Sequence, residues 1–371
     1  MRRTGFGSRA WTGRGGSPSL LGPVLAAIFY PVKLLVHVGL LGITFGSLAP
    51  LLGDRFPPFA TFESFLMQMT AASLPLALLA LCFRPRWFAI LGPLVFAWNI
   101  GTLWPYLPLH EPDGLLANGA VADAKTGADS TTRLKVVSAN VWYRNDGTDA
   151  AIHYIESTDA DVVALIELTP QWQKAMQPLY EKYPYRADCM SSRPPCELLL
   201  MSKYPFERSY AGRIDGRSPV IAWGDIKVGT RTVTVAVTHL SWPLRAEIDG
   251  ERIMPGGAMQ PSLPETYPLV QSQQAANLAQ YLNGLGPDLV LMGDFNSVPW
   301  SRTHRALRAA TGLKDAGPMV PTWPSWQPKW NRMPIDHILT RGALARLDFK
   351  SGNYIGSDHL PVQAEIAVMP E

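Results

Sequence analysis

The chain has 371 residues, a length that allows two domains, and it carries 17% charged and 47% apolar side chains, against roughly 25% charged in a typical soluble protein. That balance excludes disorder and implies that part of the chain does not live in water, while three cysteines are too few for a disulfide scaffold and lack paired-Cys zinc spacing. The net charge of +3 conceals an asymmetry, with 9 Lys and Arg against 6 Asp and Glu in residues 1–132 but 24 of each in residues 133–371, so the second part makes no case for tight, non-specific nucleic-acid binding.

Three apolar stretches, Val32–Leu52, Phe65–Phe83 and Trp87–Leu109, have the roughly 20-residue length needed to cross a hydrocarbon core about 30 Å thick. The second and third contain no charged side chain, and the first holds only Lys33 at its edge, where it can snorkel, and His37 one turn inside. A shorter run, Leu20–Tyr30, is interrupted by Pro23 and reads as interfacial or as an extension of the first helix. Lys and Arg gather before the first span and in the Arg84-Pro85-Arg86 loop between the second and third. The positive-inside rule therefore puts the N-terminus in the cytoplasm of a multi-pass inner (plasma) membrane protein and everything after the third span on the extracytoplasmic (periplasmic) side. The expected organisation is a cytoplasmic segment 1–31, a membrane domain 32–109, an aperiodic Gly-, Ala- and Asp-rich linker 110–132, and a second domain 133–371.

From Arg133 the pattern changes to short β-branched runs between polar turns. Strands are expected at Leu134–Ala139, Asp161–Ile166, Glu197–Met201, Val220–Lys227, Thr232–Thr238, Asp288–Met292, Ile335–Thr340 and Val362–Ile366. Helices are expected at Ala150–Ser157, Gln171–Lys182 and Pro268–Leu285. Strands outnumber helices and several follow one another directly, which favours an α+β arrangement of two packed sheets over a doubly wound one.

Polar groups able to bind a metal or a phosphate recur at the ends of these runs. Asn140 and Glu167 follow the first two strands, His239 follows Val-Ala-Val-Thr, and Asp294 and Asn296 lie in Gly-Asp-Phe-Asn. Asp336 lies in Ile-Asp-His-Ile, and Asp358 and His359 lie in Ser-Asp-His-Leu-Pro. Taken singly, Asn140 is also a turn residue, Glu167 a loop carboxylate, Asp336 a strand cap and His239 a core histidine. The apolar flanks of the Gly-Asp-Phe-Asn and Ser-Asp-His-Leu-Pro segments, however, would bury charges that must then be paired or metal-bound.

In order and spacing these six segments resemble the endonuclease/exonuclease/phosphatase superfamily, which includes DNase I, exonuclease III-type repair enzymes, neutral sphingomyelinases and inositol-polyphosphate 5-phosphatases. The resemblance covers about Arg133 to Ala367 and looks closest to the membrane-anchored bacterial members. It implies a four-layer α/β/β/α sandwich, DNase I-like, preceded by three transmembrane helices. By the same resemblance, Glu167, Asn140 and Asp358 lie on the metal side. Asp294 orients and deprotonates the attacking water, Asn296 and His239 meet the phosphate, and Asp336 with His359 forms a carboxylate–imidazole pair. One departure is visible: Ile166 stands where the family often has Gln before the metal-binding Glu, which leaves the ligand but removes a supporting contact.

The chemistry agrees. Water attack on an anionic phosphorus is eased by a hard cation held by carboxylate and amide oxygens, and this donor set suits Mg²⁺ or Mn²⁺ rather than zinc. The resulting expectation is a membrane-tethered, divalent-metal-dependent hydrolase of a phosphodiester or phosphomonoester. Its partners would be a nucleic acid, phospholipid or small phosphate ester as substrate and the bilayer through residues 32–109; no protein partner is inferable. The alternatives are a catalytically silent membrane protein using the sandwich as a binding module, which would be expected to lack one of the site residues, and a transporter, which the nearly charge-free spans disfavour. Cys189 and Cys196 bracket a loop containing Pro194-Pro195 and are open to disulfide formation in an oxidising compartment. Trp323, Trp326 and Trp330 form an aromatic loop suited to base stacking, to the membrane interface or to packing, and the insertion Pro243–Pro264 borders the same motifs.

Overall fold

The computed structural model describes residues 21–107, 132–190, 196–215, 218–243, 267–315 and 319–370. The start of the expected cytoplasmic segment, nearly all of the 110–132 linker and of the Pro243–Pro264 insertion, and the Pro194-Pro195 pair lie outside them.

The apolar third forms three helices. The first, α1 (Leu21–Leu48), absorbs the Leu20–Tyr30 run as a helical extension and ends in a 3-10 turn, Ala49–Leu52. The second begins as a 3-10 segment, Pro57–Phe65, and continues as α2 (Leu66–Ala80); the third passes from Arg86–Ile90 into α3 (Leu91–Leu103) and a last turn, Trp104–Tyr106. Among the described residues, the stretches long and apolar enough to cross a membrane are Phe29–Leu52, Pro57–Ala80 and Arg86–Tyr106. The second thus starts well before the expected Phe65, because it incorporates Glu63, a carboxylate that the apolar criterion left outside. Leu35, Leu78 and Leu94 point outward, as suits a lipid-facing surface, while Asn99 donates to Ser47 Oγ at 3.0 Å between helices. Gly92 lies directly against the backbone of Ser73, where a Cβ would come within 2.5 Å of its carbonyl oxygen.

The remainder is a sandwich. One six-stranded sheet contains β1 (Thr132–Asn140), β2 (Val162–Ile166), β3 (Tyr185–Asp188), β4 (Leu198–Ser202), β11 (Leu344–Ser351) and β12 (Val362–Val368), in the order β11-β12-β1-β2-β4-β3. The other contains β5 (Ser209–Arg213), β6 (Val220–Val228), β7 (Arg231–His239), β8 (Leu289–Asp294), β9 (Lys314–Asp315) and β10 (Asp336–Arg341), in the order β5-β6-β7-β8-β10-β9. Alternate side chains of the central strands, among them Val136, Val162 and Leu200 of one sheet and Val235, Val290 and Met292 of the other, form the core between them.

The outward-facing alternates are covered by helices. On the first sheet, α4 (Thr148–Thr158) and α5 (Pro170–Ala175) bury Val137, Val163 and Leu199. On the second, α6 (Tyr267–Leu282) and α7 (Arg302–Thr311) bury Ala236, Leu289 and Leu291. The four-layer expectation is met, with local corrections. The helix expected over Gln171–Lys182 is split into α5 and a 3-10 turn, Gln177–Tyr180, at Pro178, whose nitrogen has no hydrogen to donate. Strands β3, β5, β9 and β11 and helix α7 carried no sequence expectation. Cys189 and Cys196 are joined in a disulfide beside the core, and Cys82 is free.

Candidate active site

Strand register assembles the candidate residues. In the first sheet Asn140, the last residue of β1, pairs with Ile166, the last of β2, so Glu167 emerges beside Asn140. In the second, Asp294 at the end of β8 pairs on one side with His239 at the end of β7 and on the other with Asp336 at the start of β10. The segment entering β12 brings Asp358 and His359 to the same edge. All eight residues expected from the sequence therefore stand at one end of the sandwich.

Gly293 makes the approach of β7 and β8 possible. Its φ is +148°, and a Cβ there would lie 2.0 Å from the carbonyl oxygen of Thr238, so no residue with a side chain fits this strand position. Glu167 and Asn296 adopt left-handed backbone at φ of +63° and +48°. Asn tolerates that region, whereas Glu is strained there.

Asp294 is the hub. Its Oδ2 accepts from Asn140 Nδ2 at 3.1 Å and lies 3.6 Å from both His239 Nε2 and His359 Nε2, while its Oδ1 accepts the Asn296 amide at 2.8 Å. Each imidazole is held from behind by a carboxylate: His359 Nδ1 is 2.8 Å from Asp336 Oδ2, and His239 Nδ1 is 2.8 Å from Glu197 Oε1. Asn140 also donates to Glu167 Oε1 at 2.9 Å and accepts from the Trp142 amide through its own Oδ1. It therefore turns its nitrogen, not its oxygen, toward the carboxylates. Glu167 Oε2 accepts from the Tyr143 amide at 3.2 Å. Asp358 Oδ2 accepts from Trp323 Nε1 at 3.1 Å, while its Oδ1 is buried with no hydrogen-bond partner.

The charges follow from these contacts. Burial opposes a charged ring at His239, but the Glu197 carboxylate, with Asp294 and Glu167, outweighs it and lifts the pKa to about 10. At His359 burial is likewise overcome, by Asp336 and then Asp294, again to about 10. Both rings are imidazolium at neutral pH. Burial pushes Asp294 up to about 6 despite the pull of the His359 charge, and burial also raises Asp358. With His239 charged, its Nε2 and Asn296 Nδ2, 3.2 Å apart, present two donors side by side, an arrangement that an anionic oxygen between them would satisfy.

Among the described residues, two groups have ligand atoms that all lie within 4.8 Å of one another, Glu167–His239–Asp294 and Asp294–Asp336–His359. A hard divalent cation fits the oxygen-rich side of this site: Glu167 stands there, and the buried, unpaired Asp358 Oδ1 is the kind of oxygen such an ion would complete. Sequence reasoning missed Glu197, which it saw only as the start of a strand. It also missed Ser357, whose hydroxyl donates to the Asn140 carbonyl at 2.7 Å and accepts the His359 amide at 3.0 Å, tying the segment that enters β12 to the end of β1. Neither has a local sequence signal, since each acts on a residue more than 40 positions away or through backbone atoms.

The family profile described as the endonuclease/exonuclease/phosphatase family matches residues 137–359. Among curated proteins, the inositol phosphosphingolipids phospholipase C of Saccharomyces cerevisiae is 25% identical over 179 residues, 43% of this chain. The match spans only 35% of that relative's length. Among solved structures, an endonuclease/exonuclease/phosphatase from Bacteroides vulgatus aligns over 64% of this chain and 100% of its own at 14% identity and a TM-score of 0.51. A family protein from Bacteroides thetaiotaomicron aligns over 65% and 100% at 15% identity and a TM-score of 0.50. At such identity these likenesses speak for the fold alone, but the profile covers more than half of the chain, including all eight residues gathered around Asp294. The chain belongs to the endonuclease/exonuclease/phosphatase family.

Proposed function

We propose that the chain is a membrane-tethered, divalent-metal-dependent phosphoesterase that cleaves a phosphodiester or phosphomonoester by in-line attack of water. The observation that carries this reading is the position of Asp294 between two imidazolium rings, each with its Nε2 at 3.6 Å from the same carboxylate oxygen. Those separations are too long for hydrogen bonds, so the Nε2 protons are available to a phosphate oxygen. Family membership and the phospholipase C relative support the same reading.

In this mechanism Asp294 takes the proton of the attacking water as the new P–O bond forms, and the bond from phosphorus to the leaving oxygen breaks, the departing alkoxide taking its proton from solvent. Its pKa near 6 makes it a stronger base than an ordinary carboxylate while leaving it ionised at neutral pH. His239 and His359 donate to non-bridging oxygens as charge builds, oriented by Glu197 and Asp336. Asn296, whose side-chain Nδ2 is anchored to the Leu240 carbonyl at 2.9 Å, stands beside His239 as a second donor to the phosphate. Glu167 and Asp358 would hold Mg²⁺ or Mn²⁺, with Asn140 aligning Glu167 against Asp294. The ion would supply charge neutralisation at the phosphate.

Three spans with an N-terminus in the cytoplasm would put the sandwich outside it, on the extracytoplasmic side of the inner membrane. The Cys189–Cys196 disulfide supports an oxidising compartment. A silent binding module is disfavoured because no member of the constellation has been replaced.

The test is a pair of readouts on the full-length protein in detergent: thermal stability with and without Mg²⁺, and hydrolysis of bis(p-nitrophenyl) phosphate. Saturating Mg²⁺ at 100 times its Kd should stabilise by about 2.7 kcal/mol. Glu167→Gln should lose both the shift and turnover, whereas His359→Ala should lose turnover and keep the shift. Undiminished hydrolysis in His359→Ala or Asp294→Ala overturns the assignment.

A further inference from the structure

The apolar helices are docked on the sandwich at the edge that carries the site. Val298 and Trp300, just beyond Asp294 and Asn296, and Met333 and Ile335, just before Asp336, form one buried cluster with Leu66, Met69 and Leu103 of the helices. Polar contacts fix this junction. Trp300, 1% exposed, donates its indole N–H to the Glu63 carbonyl at 2.7 Å, and Glu63 Oε2 accepts the Arg302 amide at 2.8 Å. The Arg302 guanidinium bonds the Asp54 carboxylate and the Pro50 carbonyl in the loop between the first two helices. A crevice between the two parts is lined by Ala60, Thr61 and Ser64 on the membrane side and by Pro243, Gln271 and Asn296 on the site side.

The aromatic loop extends this contact downward. Trp323 touches the site itself, with its indole bonded to Asp358 and its ring centroid 6.4 Å from that of His359. Eight residues on, the Asn331 carbonyl accepts from Gln68 Nε2 of α2 at 3.2 Å. Gln68 is five residues further into the second helix than Glu63, roughly 8 Å along its axis at 1.5–2.0 Å per residue. The tip of the loop therefore reaches below the level at which the charged groups Asp54, Glu63 and Arg302 lie. Between Trp323 and Asn331 the loop presents Trp326 and Trp330, 64% and 63% exposed, together with Lys329. Exposed Trp beside Lys at the end of a membrane span is the composition of an interfacial anchor.

We propose that the site takes its phosphoester from the bilayer that holds the chain's own helices: the substrate is a membrane lipid with a phosphodiester headgroup, met at headgroup level by a site whose rim is held there by the Glu63–Arg302–Trp300 junction and the Trp326–Trp330 loop. This rests on the phosphoesterase reading and names its substrate class. A soluble phosphodiester or nucleic acid approaching from the aqueous side would have no use for a site edge turned toward the membrane.

The experiment places the full-length protein in nanodiscs of phosphatidylethanolamine, phosphatidylglycerol, phosphatidylinositol and sphingomyelin with Mg²⁺. Headgroup release is followed by mass spectrometry, and bis(p-nitrophenyl) phosphate and single-stranded DNA are offered in the same sample. Release from at least one bilayer lipid is expected. The double variant Trp326→Ser/Trp330→Ser should lower it at least tenfold while leaving bis(p-nitrophenyl) phosphate turnover within twofold. Intact nanodisc lipid beside cleaved soluble ester or DNA overturns the proposal and spares the phosphoesterase reading. So does a double variant that cleaves lipid like the parent, or that loses both activities equally. Loss of all turnover in the parent protein removes the phosphoesterase reading, and the proposal with it.

Discussion

Replacing Asp336 by Asn probes the electrostatics of the site through one atom pair. Asp336 Oδ2 lies 2.8 Å from His359 Nδ1, and the two side chains are 3% and 5% exposed. With charge centres about 4 Å apart and an effective dielectric of about 20, their attraction is about 4 kcal/mol, or roughly 3 pH units. Asp294 and Asp358 still favour the charged ring in the variant, so His359 should titrate near 7 instead of about 10. The sign for stability follows. A histidine whose folded pKa exceeds its unfolded value of 6.5 contributes stability that is complete below 6.5 and lost as pH rises through the folded value. In the parent that window closes at about 10, and in Asp336→Asn it should close near neutrality. The His359 ring signals of the metal-free full-length protein, assigned by their absence from His359→Gln and followed by NMR against pH, report the shift directly. The alkaline limb of the pH–rate profile with Mg²⁺ should move down in the same direction, and the rate at pH 8, where only about one ring in ten would still be charged, should fall by about tenfold. An unmoved alkaline limb, with His359 still titrating near 10, would show that Asp336 does not set the charge of the ring.

Further consequences can be measured separately. Gly293→Ala drives a methyl group into the Thr238 carbonyl and should abolish accumulation of folded protein, read as loss of a monodisperse chromatographic peak; a variant with parental stability would mean that the β7–β8 approach is looser than described. Trp300→Ala removes a buried indole and its hydrogen bond to the Glu63 carbonyl at the start of the second apolar stretch, and should cost about 3–5 kcal/mol in denaturant unfolding, visible as a lowered melting temperature in detergent. Maleimide labelling of denatured, non-reduced protein should modify Cys82 alone, and modification of Cys189 or Cys196 would contradict the disulfide.

The sequence was most legible where a side chain does chemistry at the end of a hydrophobic strand. A buried strand such as Val162–Ile166 is an unbroken apolar run whose end must meet the edge of the sheet, so Glu167 could be assigned a place before any pairing was known. Edge strands were not legible. Ser209–Arg213 and Leu344–Ser351 pair on one side only and alternate weakly, and the second is interrupted by a register shift at Arg346 and Asp348. Helix α7 was masked by its own composition, since three of its ten residues are Arg on an exposed or half-buried face and its start is signalled only by Ser301, whose hydroxyl accepts the His304 amide. Glu63 and Glu197 share a different obstacle. Each is a carboxylate whose partner is supplied by a distant segment, Arg302 and His239, so no window of sequence contains the reason for it.

The same edge of the sandwich carries three burdens that reinforce one another. Carboxylates of Glu167, Glu197, Asp294, Asp336 and Asp358 converge there against two imidazolium rings, leaving an excess of negative charge in a buried setting. Burial raises Asp294 and Asp358, and neighbouring carboxylates add to the rise; a divalent cation would relieve that crowding of negative charge, so ion binding and stability should be linked. The backbone at Glu167 and Asn296 is held in left-handed conformations by strands that are fully buried on either side. Strain of this kind persists only where the surroundings over-determine it. The docked helices add to those surroundings, because Val298 and Trp300 follow Asn296 within four residues and are clamped between the spans and the sheet. Without the helices the sandwich would lose one wall of the loop that carries Asn296. On the proposed reading the helices are therefore more than a tether: they support the loop that positions Asn296 beside His239 and Asp294.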